Sequence, residues 1–491
     1  MKKYLNILII SVLVFGCKEE WLTLYPTDRI ADDQAIQSVT DGRAAMLGVY
    51  ARMRDYQIFG RNMFVCSDAG CEDVVLRTDN SNRYVVQYRW KLQTGDTPTT
   101  EMWQYTYNAI KRANEVITRL AAVTPAGDET EEAKDQIIGE AYFTRAFLHY
   151  ELVKFYAHAY NYTSDASHPG IPYIEESTME NDHARNTVKE CFEKIIADAD
   201  EAIRLMNIDK PSVPYYAGSL AVKSLLARVY LYMAGTANAE YYTKAAQYAE
   251  EVISSNKYTI VSADDYQITG SNTAFTSAKM WGADYSTESI FVLPYTSTER
   301  LYTNSLPNIY LDKNKGYGDL KPSEDILELV GYGVSDDCRA TLFYLHDGAM
   351  CVRKFWGAGG VSWDLANVNL FRLSEMYLIA AEGNAKGSPA NDAKAAGFLN
   401  TLKTNRGLTA VSLTGQGLVN EILRERRKEL CFEGHSLPDH KRLNTSIERT
   451  ADKTNPENQN LGLTYPNDYF ALPIPTSEIN TNKLIEQNPG Y

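Results

Sequence analysis

The stretch FRLSEMYLIAAE, from Phe371 to Glu382, decides how this chain folds. Its apolar residues recur at the three- and four-residue spacing of a helix: Leu373, Met376, Tyr377 and Ala380. A turn at Gly387-Ser388-Pro389 precedes a second stripe of the same kind, formed by Ala395, Phe398, Leu399 and Leu402. Residues 370–405 therefore predict a helix–turn–helix unit, whose length is near the roughly 34-residue tetratricopeptide period.

Residues 217–255 repeat that plan. A helix passes through Leu225 and Tyr232, and a break from Gly235 to Ala239 precedes a second helix. The second stripe consists of Tyr241, Ala245, Tyr248, Ala249 and Val252. A further helix begins at Thr97-Pro98, and residues 131–158 are apolar on almost every side, which is typical of a buried helix. The sequence therefore predicts a mainly α fold.

Helical periodicity fades between residues 257 and 369, and a smaller region of the same character covers 60–96. Long, weakly regular segments on a helical frame usually carry function. Both regions are rich in rings, and the apolar faces of sugars stack on such rings. The first candidates for carbohydrate contact are Trp281, Tyr285, Trp356 and Trp363, followed by Tyr84 and Trp90. Trp103 lies on a clean helical stripe and is predicted to be core.

Composition excludes one large class of function. The chain has 491 residues, is 44% hydrophobic, and carries a net charge of −14. Because nucleic-acid phosphates require clustered Lys and Arg, this balance argues against a nucleic-acid partner. Tyrosine is abundant, with 34 residues, which fits aromatic ridges in a helical core or an added binding surface.

The amino terminus predicts export and lipid attachment. Lys2 and Lys3 precede an apolar run from Leu5 to Phe15, which is too short to span a bilayer. The following Gly16-Cys17 fits a bacterial lipoprotein box. We expect residues 1–16 to be a removed signal peptide, Cys17 to be acylated, and residues 17–31 to form a tether. The alternative is a plain signal peptide with an incidental cysteine.

Motifs of catalysis and metal binding are missing from the sequence. It has no nucleophile elbow, zinc-protease, phosphate-loop or calcium-loop pattern. We therefore predict no catalytic residue, no metal and no cofactor. The adjacent acids Glu72-Asp73 and Asp336-Asp337 are expected to be solvated charges. The six cysteines after Cys17 are expected to be free or opportunistically paired, with Cys66/Cys71 and Cys338/Cys351 as the local candidates for pairing.

The chain resembles the SusD/RagB family in five motifs that occur in order. Phe371–Glu382 is similar to one family helix, and RRKELCFEGH from Arg426 to His435 is similar to its signature. The remaining matches are Trp103–Ile117, Gly139–Phe147 and the terminus from Leu472 to Tyr491. The signature departs after His435, where Pro438 would disrupt a continuing helix. The alternating charges of this segment predict an ion-paired helix corner rather than a ligand site. The charged residues are Arg426, Arg427, Glu429, Glu433, Asp439 and Arg442.

The resemblance implies a SusD-like helical fold with tetratricopeptide-like helix pairs. It implies an N-terminal helical region over 32–256 and a C-terminal region over 257–491, in which 257–369 faces the ligand. Such proteins are lipid-anchored on the outer-membrane surface, facing outward. They bind oligosaccharides and deliver them to a SusC-like TonB-dependent β-barrel transporter. The alternatives are a RagB-like peptide binder, a surface glycoside hydrolase and a scaffold that binds only proteins.

Overall fold

The structure is a computed structural model that describes residues 35–177, 182–236, 238–271, 274–276, 279–282, 284–357, 362–450 and 462–491. The expected signal peptide, Cys17 and the tether over 17–31 lie outside these ranges. None of the described helices is both long enough and apolar enough to cross a membrane.

Helices dominate the described residues, as the sequence predicted. Those of the amino-terminal half are α1 Val39–Met53, α2 Asn62–Asp68, α3 Val85–Tyr88, α4 Thr97–Ala121, α5 Glu131–Tyr156, α6 Val188–Leu205, α7 Ser219–Ala234 and α8 Ala239–Ser254. Those of the carboxyl-terminal half are α9 Ala263–Tyr266, α10 Pro307–Tyr310, α11 Glu324–Leu329, α12 Leu373–Lys386, α13 Asp392–Thr404, α14 Gly415–Leu430, α15 Ser436–Leu443 and α16 Thr476–Thr481.

Strands are short and form antiparallel pairs. They are β1 Val74–Leu76, β2 Thr269–Ser271, β3 Ala274–Thr276, β4 Ser289–Leu293, β5 Leu320–Pro322, β6 Phe343–His346, β7 Ala349–Val352 and β8 Val368–Arg372. The pairs are β1–β5, β2–β3, β4–β8 and β6–β7. Strand β1 belongs to the smaller loop-rich region and β5 to the larger one, so this pair joins regions that are far apart in sequence.

Successive helices pack side by side, from α4 through α8, and α12 then packs on α8 and carries α13 and α14. Both predicted helix–turn–helix units are confirmed, as α7–α8 and α12–α13. Close approach requires small residues at the contacts. A Cβ atom placed on Gly383 would lie 2.6 Å from the carbonyl oxygen of Tyr242, so α12 can rest on the α8 backbone only with glycine there.

Local details refine the predicted helix ends. Helix α4 begins at Thr97, with Asp96 at the N-cap position and Pro98 as its second residue. Trp103 is core, as predicted, with 2% of its surface exposed. Pro438 does not disrupt a helix, because the chain leaves α14 at Leu430 and starts α15 at Ser436, where a proline in the first turn is tolerated.

The end of the chain closes the carboxyl end of α5. Asn488 donates from Nδ2 to the carbonyl oxygens of Tyr156 and Leu472, at 2.8 and 2.7 Å. Lys441 donates from Nζ to the carbonyl oxygens of Lys154 and Ala157. A helix leaves its last carbonyls without partners within the helix. Residues from Lys441 onward supply those partners here.

Two residues of the predicted ion-paired helix corner, Glu429 and Glu433, belong to a buried arginine–glutamate cluster, defined here as Arg339, Arg372, Arg406, Glu425, Glu429 and Glu433. Arg426 and Arg442 of the predicted corner pair instead with Asp439, both at 2.7 Å. Glu429 accepts hydrogen bonds from all three arginines, at 2.6 to 3.1 Å. Burial alone would raise the pKa of Glu429, but the three guanidinium groups hold it well below its ordinary range. The cluster is structural, because its polar atoms are turned toward one another.

Two adjacent acid pairs were expected to be solvated, and this holds for Asp336, which is exposed, but not for the other three acids. Asp73 is 1% exposed and accepts from Arg427 at 2.7 Å, while Glu72 pairs with His440 at 2.9 Å. Asp337 is 3% exposed and accepts from Arg339 at 2.7 Å. The sequence spacing could not reveal these partners, because they come from distant segments. The six cysteines from Cys66 onward are buried, free thiols.

Candidate ligand-binding site

A cleft opens where the two loop-rich regions meet, beside the start of α4. We call it the loop cleft, and its volume is about 320 Å³. That volume lies within the usual range of small-ligand sites. Its lining consists of Tyr56, Arg61, Asn82, Arg83, Tyr84, Val85, Val86, Gln87, Thr97, Pro98, Glu101 and Asn304. Rings, amides and guanidinium groups therefore share one concave surface.

The backbone around the loop cleft is strained. Asn82 and Tyr84 line it with φ of 65° and 58°, and Tyr302, two residues from Asn304, has φ of 49°. Bulky side chains rarely adopt this left-handed region, because Cβ then crowds the backbone. Such conformations cluster at functional sites, where the surrounding structure enforces them. The strain is an indication of function that is independent of the cavity itself.

Tyr56 and Tyr84 flank a buried guanidinium group. The Arg61 Cζ atom lies 4.5 Å from the ring centre of Tyr56 and 5.7 Å from that of Tyr84. Arg61 donates to the side-chain oxygens of Asn62 and Asn304, both at 3.2 Å. Tyr84 donates from its hydroxyl to Asn62 at 2.6 Å. This network joins α2, the loop before α3 and the distant 302–304 segment.

Two side chains of the cleft have polar atoms without partners. Gln87 is 3% exposed, and neither its amide nitrogen nor its amide oxygen has a hydrogen-bond partner. The Arg83 guanidinium lies 3.4 Å from the ring centre of Tyr317, and its buried Nη1 atom has no partner either. A buried, unpartnered polar group costs about 1–3 kcal/mol. A ligand that pairs with these atoms would recover that cost.

Glu101 is the one carboxylate in the lining of the loop cleft. It accepts from the Tyr56 hydroxyl at 3.3 Å and from the Asn62 amide at 3.4 Å. Burial raises the pKa of Glu101, although these hydrogen bonds oppose the rise. Retaining and inverting glycosidases ordinarily use two facing carboxyl groups. The lining of the loop cleft therefore supplies one of the two carboxyl groups that such hydrolysis ordinarily uses.

Three of the rings predicted from sequence lie in the core. Tyr84 is 4% exposed and forms part of the cleft wall, so it positions its neighbours rather than offering an open ring face. Trp90 is 9% exposed, packs against Phe470, and donates to the Gly70 carbonyl at 3.1 Å. Trp281 is 8% exposed and meets Tyr266 edge to face. Buried rings cannot stack on a sugar from solution.

The other three predicted rings reach the surface. Tyr285 is 40% exposed and meets Tyr215 edge to face. Trp356 is half-buried against Tyr344, with the Lys315 ammonium 5.4 Å from its ring centre. Trp363 is also half-buried. None of these three lines the loop cleft. The structure therefore does not gather the six predicted rings into one platform.

Sequence reasoning missed Tyr56, Arg83, Gln87 and Asn304, which are the polar and aromatic elements of the cleft. The loop-rich character of 60–96 and 257–369 was the available signal, and both regions do contribute to the lining. A second cleft of about 340 Å³ lies between β1, β5 and β7, and its lining has no aromatic ring. Among the described residues, no group of three or more His, Cys, Asp or Glu could hold a metal ion.

Two family models match the chain. One, described as starch-binding associating with outer membrane, matches residues 40–231. The other, described as the SusD family, matches residues 346–491. Together they span about two thirds of the chain. A similar curated protein, SusD-like protein P2 of Formosa agariphila, is 23% identical over the full length of both chains.

Solved structures share the fold. A SusD superfamily protein of Bacteroides thetaiotaomicron is 26% identical, with a TM-score of 0.81, over 92% of this chain and 100% of its own. A putative sugar binding protein of Bacteroides vulgatus is 26% identical, with a TM-score of 0.81, and the match covers 93% of this chain and 99% of that one. A laminarin binding SusD-like protein is 19% identical, with a TM-score of 0.70, and the match covers 93% of this chain and 100% of that one.

Proposed function

This chain belongs to the SusD family, and from that premise we propose that it captures oligosaccharides in the loop cleft. We further propose that it works on the outer-membrane surface, anchored through acylated Cys17 and facing outward. There it would deliver the bound glycan to a SusC-like TonB-dependent β-barrel transporter. No catalytic step and no cofactor is part of this proposal.

The unpartnered amide of Gln87 is the observation that carries the proposal. A sugar hydroxyl both donates and accepts a hydrogen bond, as does a side-chain amide. Gln87 presents both functions, unsatisfied and buried, inside a cleft that also holds the ring of Tyr56. An oligosaccharide supplies the hydroxyls for the amide and an apolar face for the ring.

The comparisons favour a glycan over a peptide as the ligand. One structural neighbour is named for laminarin binding and another as a putative sugar binding protein. Peptide capture, as in RagB-like proteins, is kept as an outcome of the test. Hydrolysis is disfavoured, because the cleft lining has a single carboxylate, Glu101.

Tyr285, Trp356 and Trp363 stay in the proposal as outer contacts for a longer glycan. Their surface exposure permits stacking, and all three belong to the loop-rich region over 257–369. The division into an N-terminal helical region over 32–256 and a C-terminal region over 257–491 is likewise proposed as the functional layout.

The test uses the soluble chain from residue 18 onward, titrated calorimetrically with neutral and charged glycans and with peptides. We expect a Kd between about 1 μM and 1 mM for one glycan class. Tyr56→Ala and Gln87→Ala should each weaken binding tenfold or more. Tyr332→Ala is the matched control, since Tyr332 is 39% exposed and does not line the loop cleft. Binding of peptides alone would overturn the glycan assignment.

The anchor is tested separately in an expressing diderm bacterium. Wild-type protein should incorporate labelled palmitate and fractionate with the outer membrane, whereas Cys17→Ala should do neither. Protease added to intact cells should cleave the wild-type protein if it faces outward. Unchanged fractionation of Cys17→Ala would contradict the anchor.

A further inference from the structure

We propose that the loop cleft selects anionic oligosaccharides, carrying a carboxylate or a sulfate group, over neutral ones of the same backbone. This inference rests on the proposed function, since it names the class of glycan that the same cleft takes. It goes beyond the comparisons, which concern the family and its fold.

The charges that line the cleft are unbalanced. Arg61 and Arg83 contribute two guanidinium groups, whereas Glu101 contributes the single carboxylate. Within the described ranges, neither arginine forms an ion pair with any acidic side chain. The chain as a whole carries 63 acidic residues and a net charge of −14. The excess positive charge therefore belongs to the cleft rather than to the protein as a whole.

Arg61 holds its position through neutral acceptors. Its hydrogen bonds, to Asn62 and Asn304, are both 3.2 Å long, and two tyrosine rings flank the group. A bond from a guanidinium to an ionised acceptor is shorter and about twice as strong as one to a neutral acceptor. An anionic ligand can therefore compete for these donors, while a neutral hydroxyl gains less from them.

Arg83 offers the more direct contact. Its guanidinium stacks on Tyr317, and its Nη1 atom is buried and unpartnered. A planar guanidinium fixed by stacking matches the two oxygens of a carboxylate or sulfate. Glu101, the one carboxyl group in the lining, is engaged by the Tyr56 hydroxyl at 3.3 Å and the Asn62 amide at 3.4 Å.

The negative charge of the whole protein does not oppose this selection strongly. At physiological salt, exposed charges more than about 8 Å apart are largely screened from each other. The contacts that a bound glycan makes are shorter than that distance. The local pair Arg61 and Arg83 therefore decides which charge the cleft prefers, and added salt should weaken binding of the anionic ligand.

The experiment compares glycans that differ only in charge, by calorimetry on the soluble chain from residue 18. Galacturonate oligomers are matched with their methyl esters, and dextran sulfate oligomers with dextran oligomers. We expect at least tenfold tighter binding of one anionic member than of its neutral counterpart. A preference for galacturonate identifies the carboxylate as the recognised group, and a preference for dextran sulfate identifies the sulfate.

Variants place the recognition in the cleft. Arg83→Gln should reduce the preference to less than threefold, because it weakens binding of the anionic member far more than binding of its neutral counterpart. Arg83→Lys should retain part of the preference, and thermal unfolding checks that both variants fold. Arg204→Gln is the matched control, because Arg204 pairs with Glu201 on an exposed face of α6.

The failures can be told apart. Equal affinity for charged and neutral members, lost in Gln87→Ala, overturns the charge inference and leaves the proposed function standing. A charge preference that survives both Arg83→Gln and Arg61→Gln also overturns the inference, because recognition then lies elsewhere. Glycan binding that is insensitive to Gln87→Ala and Tyr56→Ala, or its complete absence, overturns the proposed function as well.

Discussion

The loop cleft and the buried arginine–glutamate cluster use the same side chains in opposite ways. In the cluster, Nε, Nη1 and Nη2 of Arg372 all donate to acidic acceptors, at 2.6 to 2.8 Å. In the cleft, Arg83 stacks on a ring and keeps a buried nitrogen unpartnered. An arginine whose donors are all used holds the fold together. An arginine with donors to spare is available to a ligand.

The largest test of this contrast is Glu429→Gln in the cluster. Losing this charge leaves three buried guanidinium groups short of their shared acceptor, and breaking a buried pair costs about 3–5 kcal/mol. We expect a loss near the upper end, about 5 kcal/mol, in the free energy of unfolding measured by urea denaturation. Glu240→Gln, in an exposed pair with Lys244, should cost less than about 0.5 kcal/mol. Similar losses of unfolding free energy in Glu429→Gln and Glu240→Gln would contradict the structural role of the cluster.

The second test replaces Trp281, a ring that sequence reasoning assigned to the ligand and the structure places beside the cluster. Its ring centre lies 5.1 Å from the Lys354 ammonium. Trp281→Ala should lower stability by about 3 kcal/mol through the cavity it leaves. The affinity of the folded variant for glycan should be unchanged, and Trp281→Phe should lose less stability. Weaker glycan binding by well-folded Trp281→Ala would put this ring back in the ligand site.

A third test concerns a buried carboxyl group without a cation. Asp68 is fully buried and accepts from the backbone N–H of Gly434 at 2.9 Å. Burial raises the pKa of Asp68 to about 7, against the opposing effect of that hydrogen bond. Because the unfolded carboxyl ionises near pH 4, the stability it contributes is present in acid and falls as the pH rises toward 7.

Asp68→Asn removes that dependence. Relative to wild type, the variant should gain about 2.5 kcal/mol between pH 5 and pH 8 in urea denaturation. A constant difference across this range would show that the Asp68 carboxyl titrates normally in the folded protein. The pKa of Glu429, which is surrounded by arginines, is shifted in the opposite direction. The two residues therefore distinguish a buried acid that has cations beside it from a buried acid that has none.

The smallest change in stability is expected at Gln87, and the informative result is whether the variant gains or loses stability. Replacing an unsatisfied buried amide by an apolar side chain of similar size is nearly neutral or stabilising, by about 1 kcal/mol. Gln87→Met should therefore keep or raise the midpoint of urea unfolding while weakening glycan binding tenfold. Loss of stability together with binding would mean that the amide has a structural partner.

The sequence predicted the helical frame well, because core-facing residues recur at helical spacing. Leu373, Met376 and Ala380 revealed α12, and the turn after it revealed α13. Burial of Trp281 and Trp90 could not be predicted in the same way, since irregular segments have no period that separates inward from outward rings. The loop cleft could not be assembled either, because Gln87 and Asn304 are more than 200 residues apart and meet only through tertiary packing.

The closure of α5 by the end of the chain has a consequence for biogenesis. The carbonyls of Lys154 and Tyr156 receive their partners from Lys441 and Asn488. During synthesis or export, these positions emerge more than 280 residues after the helix itself. The longest described helix therefore stays incompletely capped until nearly the whole polypeptide is available. Closure of the carboxyl end of α5 therefore waits until the carboxyl-terminal segment has been synthesised.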